Sequence, residues 1–473
     1  MSTQRPHSVF LTGAIPSLYL NTAGPIIVLM MMSGFLNVTD AWFLGVYAGE
    51  QALAAVTVSF PLFMLLSALG MLVASGMSSL LARALGRGDQ SEAESIFAST
   101  HALSLSIAGG LIVLFLLVGG PVLTRLSLGD AALAAEAARY IGVLVWGAPV
   151  ALILSVQADG LRNEGHAGFM ALAGLGVTLA NIAFNAVLII GFDMGAAGAA
   201  IGTVMAQACS MGVILVWRMR HAGLMSPPVS AWLKTRRDWV QILVLGAPSA
   251  LGLFGVALGS LTVLSVLQLS DVEDYQASVA AYGVATRVVT FAILPVIGLS
   301  QAVQTITGIN HGAGQTRRVR DSLRFALLAA LCYGALVEAS VQVFADQIGG
   351  WFVSGDGLAS QIAFILRRLM ALFVLIAPLS LLSLYFQAQG DALRAAVLGL
   401  AKPYALFIPL VVVLGLAFGP NAIWWASPIA DLGVLALSVF MLATAGSPTA
   451  ARSSTLSADA GGSDDVRDTP GEP

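Results

Sequence analysis

The chain has 473 residues, of which 58% are hydrophobic and only 10% charged, and its mean hydropathy is +0.87. A soluble domain carries about 25% charged residues, so this composition excludes an ordinary soluble protein and points to one built for the bilayer. A net charge of −3, with Lys234 and Lys402 the sole lysines, excludes a basic nucleic-acid-binding surface.

Hydropathy and chain breakers predict an all-α integral membrane protein with twelve transmembrane helices. The expected spans are 25–47, 53–79, 95–120, 138–158, 168–191, 195–217, 241–269, 277–307, 325–345, 362–387, 396–417 and 421–444. Residues 1–24 precede them as a cytoplasmic or interfacial segment, and the half-apolar stretch from Thr12 to Ala23 is expected to rest on the membrane surface.

The first span holds Asp40 in the run PIIVLMMMSGFLNVTDAWFLG. A carboxylate at that depth costs about 3 kcal/mol on insertion scales, and such residues usually face a cavity and carry ions or substrate. In the second span Phe60 and Met64, with Phe63 and Met71, form a stripe that suits either a plastic drug cavity or plain helix packing. The fifth span places Asn181 and Asn185 one helical turn apart on a shared face, and Thr203 lies in the sixth. Asp40, Asn181, Asn185 and Thr203 together suggest one polar pocket able to host a cation.

The connection 218–240 contains Pro227 and Pro228 and divides six spans from six, giving an N-lobe at 25–217 and a C-lobe at 241–444. In the C-lobe, Arg287 has no sequence neighbour that neutralises it. Glu338 and Asp431 are secondary candidates for proton handling, and all three are candidate cavity residues. Residues 445–473 turn to Ser, Asp, Gly and Thr and read as a disordered cytoplasmic tail.

Basic residues set the orientation. Even-numbered connections carry Arg83, Arg87, Arg162, Arg218, Arg220, Lys234, Arg236, Arg237, the cluster Arg317 to Arg324, Arg394 and Lys402, against Arg125 in the odd ones. Positive residues mark the cytoplasmic side, so both termini are expected in the cytoplasm, with the protein in the inner (plasma) membrane.

The halves also repeat. Gly86-Arg87-Gly88 recurs as Gly312-Ala313-Gly314 at a displacement of 226, and Gln157-Ala158-Asp159-Gly160 as Gln387-Ala388-Gln389-Gly390 at 230. A six-span duplication keeps one orientation and predicts two pseudo-symmetric bundles about an axis along the membrane normal.

No enzyme is expected. The histidines at 7, 101, 166, 221 and 311 lack metal-ligand spacing, and no zincin, Walker-type or nucleophile-elbow motif is present. No cofactor and no structural metal are expected. Cys209 and Cys332 lie in separate apolar segments and read as small hydrophobes.

Four segments carry a family resemblance. They are Asn37-Val38-Thr39-Asp40-Ala41-Trp42-Phe43-Leu44-Gly45, Ala84-Leu85-Gly86-Arg87-Gly88-Asp89, Met194-Gly195-Ala196-Ala197-Gly198-Ala199-Ala200, and Gly308-Ile309-Asn310-His311-Gly312-Ala313-Gly314 with its following arginines. In this order the chain resembles a multidrug and toxic compound extrusion (MATE) transporter across nearly all of 12–444. The resemblance implies a V-shaped pair of six-helix bundles, alternating access, and export of small organic cations in antiport with H⁺ or Na⁺. A monomer in the lipid bilayer is the expected functional unit.

In the branch with an N-lobe cation site, the family pattern is an Asp on the first helix, an Asn and then an Asp four residues later on the fifth, and a Thr on the sixth. Asp40, Asn181 and Thr203 match, while Asn185 replaces the second acid. One ionisable group remains, which leaves H⁺ against Na⁺ open, with a transient Na⁺ at Asp40 in the second case. The NorM-like branch adds an acid in the seventh span, and 239–269 contains none. A lipid-linked oligosaccharide flippase of the same broad architecture is the alternative. It would need a basic cavity, for which only Arg287 is expected deep.

Overall fold

The computed structural model describes residues 6–127, 130–221, 225, 237–270, 275–352 and 356–445. The expected tail and most of the inter-lobe connection lie outside the described residues. Every regular element described is helical, as a bilayer demands of an apolar chain that must satisfy its backbone internally.

The N-terminal half comprises α1 (Pro6–Thr12), α2 (Ile15–Phe43), α3 (Gly49–Arg87), α4 (Gln90–Leu126), α5 (Ala131–Trp146), α6 (Ala148–Asn163), α7 (Ala167–Asn185) and α8 (Gly195–Arg220). The C-terminal half comprises α9 (Trp239–Leu269), α10 (Tyr275–Gly312), α11 (Thr316–Phe352), α12 (Asp356–Leu369), α13 (Phe373–Ala388), α14 (Ala392–Leu400), α15 (Ile408–Phe418) and α16 (Ala426–Ala445). Three π-helical turns interrupt the pattern at Leu44–Ala48, Ala186–Gly191 and Ala401–Phe407.

Among the described residues, ten helices are long and apolar enough to cross a membrane, and two bent pairs bring the number to twelve. α5 and α6 meet at 46°, and α12 and α13 at 50°. The first elbow falls at Gly147, where a Cβ would run into the Val204 side chain of α8, and Pro149 restarts the helix. At the second, Glu338 Oε2 accepts a hydrogen bond from the Val374 backbone N–H at 3.0 Å and so caps the restarted helix.

Three expectations change. The segment from Thr12 to Ala23 does not lie on the surface, because α2 starts at Ile15 and runs through Pro25. Its Leu18 and Tyr19 are buried, and the Tyr19 hydroxyl lies 2.8 Å from Ser322 Oγ. Secondly, α3, α4, α10 and α11 extend past the expected spans, and a left-handed glycine follows α3 and α10. Gly88 at φ 75° and Gly314 at φ 72° make the same turn in each half.

Thirdly, most of the charges assigned to loops lie within helices, and three of them are paired there with a buried or half-buried acid. Arg162 is 1% exposed on α6, Arg218 is 3% exposed on α8, and Lys402 sits in the π turn between α14 and α15. Hydropathy windows tolerate one such residue, and here each is paired with a carboxylate that offsets its desolvation.

The two six-span bundles meet through α3 against α9 and α10, and through α2 against α10. Gly76 and Gly246 let α3 and α9 touch backbone to backbone, since a Cβ on either would strike a carbonyl oxygen of the other helix, Ile242 and Leu72 respectively. Further toward the α2–α10 contact, Gly34 faces Phe291 and Leu294, and Gly298 faces Ile27. These close approaches occupy the middle of the helices and the ends carrying the arginine-rich connections.

Candidate functional site

A buried polar cluster sits inside the N-terminal bundle between α7 and α8. Asn181 Nδ2 donates to Thr203 Oγ1 at 2.9 Å, Asn185 Nδ2 donates to Asn181 Oδ1 at 3.1 Å, and Thr203 in turn donates to the Ala199 carbonyl at 3.0 Å. Asn181 and Asn185 are 1% and 0% exposed. Their four-residue spacing stacks both amides on the face of α7 that meets α8. Gly202 makes the space, because a Cβ there would collide with Asn185 Oδ1. The three predicted residues are thus one hydrogen-bonded unit, rich in amide and hydroxyl oxygens that suit a hard cation.

Asp40 lies on the final turn of α2, and its side chain is outside the described residues. The backbone carries that turn to the cluster. α2 packs on α7, and the π turns that follow α2 and α7 pack on each other. Phe43 and Ile189 are buried in a single apolar cluster, with the partly buried Ile182 packed against it. π turns recur at functional sites because the wider turn releases backbone groups.

The remaining predicted residues do not converge. Phe60 is 52% exposed, Met64 is half-buried, and Arg287 is exposed. None of these three lines the two cavities described below, although Met71 lines both. Glu338 serves as the helix cap noted above. Asp431 is buried and forms an ion pair with Lys402 at 2.6 Å.

Between the lobes lies a cavity of about 310 Å³. Its floor is a network around Arg162. Arg162 donates through Nη1 to Asp159 Oδ1 at 2.7 Å and Gln301 Oε1 at 2.7 Å, and through Nη2 to Ser78 Oγ at 2.9 Å and Gln304 Oε1 at 3.2 Å. Its Nε reaches Thr305 Oγ1 at 3.1 Å, so all five guanidinium donors are used. Gln304 Nε2 continues the network to Gln387 Oε1 at 3.2 Å and to the Ser75 carbonyl at 3.1 Å. One arginine of the N-terminal bundle is thereby bonded to three residues of the C-terminal bundle.

Past the end of α6, Glu164 receives Arg218 at 2.8 Å and the Met225 backbone N–H at 2.7 Å. Burial pushes the Glu164 carboxyl above its ordinary range, against the opposing pull of Arg218 and the Met225 N–H.

The family model for MatE matches residues 25–187 and 248–432. The chain belongs to the MatE family. It is a multi-pass membrane transporter, not an enzyme. The multidrug export protein MepA of Staphylococcus aureus (strain NCTC 8325 / PS 47) is 23% identical over 421 residues, covering 86% of this chain and 89% of the relative.

A MATE crystal structure in the bent conformation superposes with a TM-score of 0.85 at 22% identity, covering 93% of this chain and 97% of the other. A MOP-superfamily transporter from Pyrococcus furiosus, described for the reversed polarity of its binding pocket, gives 0.84 at 22% identity over 93% and 98%. These superpositions establish the MATE architecture for the fold.

In this MatE protein the sequence reading missed the Arg162 network. Asp159 and Arg162 sit at i and i+3 in Gln157-Ala158-Asp159-Gly160-Leu161-Arg162, a spacing that pairs charges on one helical face. That spacing was the available signal. It was hidden because a basic residue near a predicted span end reads as interfacial.

Proposed function

We propose that this protein is a secondary multidrug exporter that moves lipophilic organic cations out of the cell in exchange for H⁺ or Na⁺. Asp40 acts as the coupling acid, and Asn181, Asn185 and Thr203 supply neutral oxygen ligands beside it. The observation that carries this reading is the buried Asn185–Asn181–Thr203 chain, packed where the end of α2 meets the end of α7. The export activity named for MepA supports the same reading.

One carboxylate serving both ion and drug makes the two compete. A proton or Na⁺ entering from outside neutralises Asp40 and releases the drug, and loss of that ion inward restores the charge that attracts the next cation. Nothing in the cycle needs a nucleotide or a cofactor. The protein acts as a monomer in the plasma membrane with both termini cytoplasmic.

The flippase alternative loses ground on Arg162. A pyrophosphate-linked lipid carries several negative charges and needs several free cationic donors together, whereas all five donors of this arginine already have protein acceptors and Lys402, in the second cavity, is a single ammonium already paired with Asp431. The test is ethidium efflux from proteoliposomes under separately imposed pH and Na⁺ gradients. Efflux driven by either gradient supports antiport. Absence of efflux under both, with the protein inserted and folded, removes the proposal.

A further inference from the structure

The C-terminal bundle holds a charged pair that the cation cycle does not use. Lys402 Nζ lies 2.6 Å from Asp431 Oδ1, with the carboxylate side chain 2% exposed and the lysine 29% exposed. Both residues line a cavity of about 340 Å³ whose walls are largely apolar, with Ser380 and Ser383 among the few hydroxyls. That volume falls within the range of small-molecule pockets.

Asp431 stands 228 positions after Thr203, inside the 226 to 230 displacement that relates the halves. Asp431 thus holds the place in its lobe that Thr203 holds in the other, whereas its partner Lys402 lies 221 positions after Asn181, outside that displacement. In one lobe the polar contact at that place is the neutral Asn181–Thr203 bond, and in the other it is an ion pair. Lys402 also sits in the π turn Ala401–Phe407, beside Pro403, the kind of helix irregularity that recurs at functional sites.

The order of the charges decides which ligand fits. The acid is at the back of the pair and the ammonium faces the space, so an entering cation meets like charge. An entering carboxylate meets an ammonium whose three N–H donors are not exhausted by one partner. We propose that this cavity is an anion subsite, in which Lys402, held in place by Asp431, takes the carboxylate of a lipophilic organic acid whose apolar body fills the remaining space. The subsite extends the ligand range from cations to acids and zwitterions. It is independent of Asp40, and because its test reads binding, failure of the coupling proposal would leave it standing.

The test is equilibrium dialysis of the purified full chain in detergent with radiolabelled naphthalene-1-acetate and, separately, its uncharged methyl ester, each corrected for protein-free micelles. The acid should bind at least tenfold more tightly than the ester. Lys402→Ala should weaken acid binding tenfold or more, whereas Asp431→Asn should tighten it several-fold by freeing the ammonium. Since Lys402→Ala strands a buried carboxylate, the neutral double variant Lys402→Met/Asp431→Asn, checked for a cooperative melting transition, should also lose acid binding. Equal binding of acid and ester, undiminished acid binding in either Lys402 variant, or weaker binding in Asp431→Asn would each overturn the proposal.

Discussion

Gly86 on α3 and Gly312 on α10 face each other across the lobe boundary, each occupying the space beside a carbonyl of the opposite helix. A Cβ on Gly86 would strike the Ile309 carbonyl oxygen, and one on Gly312 would strike that of Arg83. Both pairs, Gly86 with Gly312 and Arg83 with Ile309, are separated by 226 positions. The 226-position spacing thus places equivalent residues on both sides of the contact at the arginine-rich end.

Gly312→Ala should push these ends apart. Overpacking a tight contact costs about 1–3 kcal/mol, which corresponds to a shift of roughly 5- to 150-fold toward the open state. Ala313→Cys, introduced after replacing the exposed Cys209 and Cys332, should react faster with a soluble maleimide in the Gly312→Ala background. Equal rates would mean that the glycines do not control closure.

The Arg162 network should act on the same equilibrium. Arg162→Ala leaves Asp159 in a site 17% exposed without its cation, and breaking a buried pair in this way costs about 3–5 kcal/mol. A lower melting temperature in detergent is expected. Arg162→Lys keeps the charge but cannot reach five acceptors in the same geometry, so it should fold and label faster at Ala313→Cys than the parent. Unchanged labelling would separate the network from lobe closure.

Glu164 gives a pH signature outside the spans. Its folded carboxyl is raised above the ordinary value of 4.5, chiefly by burial. For an acid raised on folding, the linked stability is fully present below about 4.5 and is lost as pH climbs through the folded value. Glu164→Gln does not titrate. Its melting temperature relative to wild type should therefore rise as the pH is taken from about 4.5 toward neutrality and above. A relative melting temperature that falls over that interval would show that the Arg218 pairing dominates.

Asn185→Asp restores a second acid beside Asn181. An amide oxygen can ligand Na⁺ but the group cannot take a proton at physiological pH. The variant should acquire Na⁺ sensitivity or a steeper pH dependence of efflux while its melting transition stays cooperative. Identical ion profiles for the two proteins would place residue 185 outside the ion site.

Much of this architecture was legible because bilayer crossing leaves a strong record: long apolar runs, punctuating glycines and one-sided arginines. Asn181, Asn185 and Thr203 were legible for a related reason. Amides spaced one turn apart in an apolar helix need partners, and the structure supplies them from each other and from α8. The Arg162 and Lys402 sites were not legible, because a basic residue near the end of an apolar run looks the same whether it reaches water or a buried acid. Only the three-dimensional approach of Gln301 to Arg162 and of Asp431 to Lys402 distinguishes the two cases. The elbow at Gly147 was hidden for another reason, since hydropathy is blind to a 46° change of axis.

The measurement that bears most directly on the account is the efflux of ethidium by Asp40→Asn in proteoliposomes. The amide imitates a permanently protonated acid of nearly the same shape and removes the charge for which drug and ion compete. The account predicts loss of gradient-driven efflux across roughly pH 6 to 8, the interval over which a tuned carboxyl can exchange its proton, with expression and melting behaviour preserved and partial activity retained in Asp40→Glu. Efflux by Asp40→Asn at the wild-type rate over that interval would contradict it.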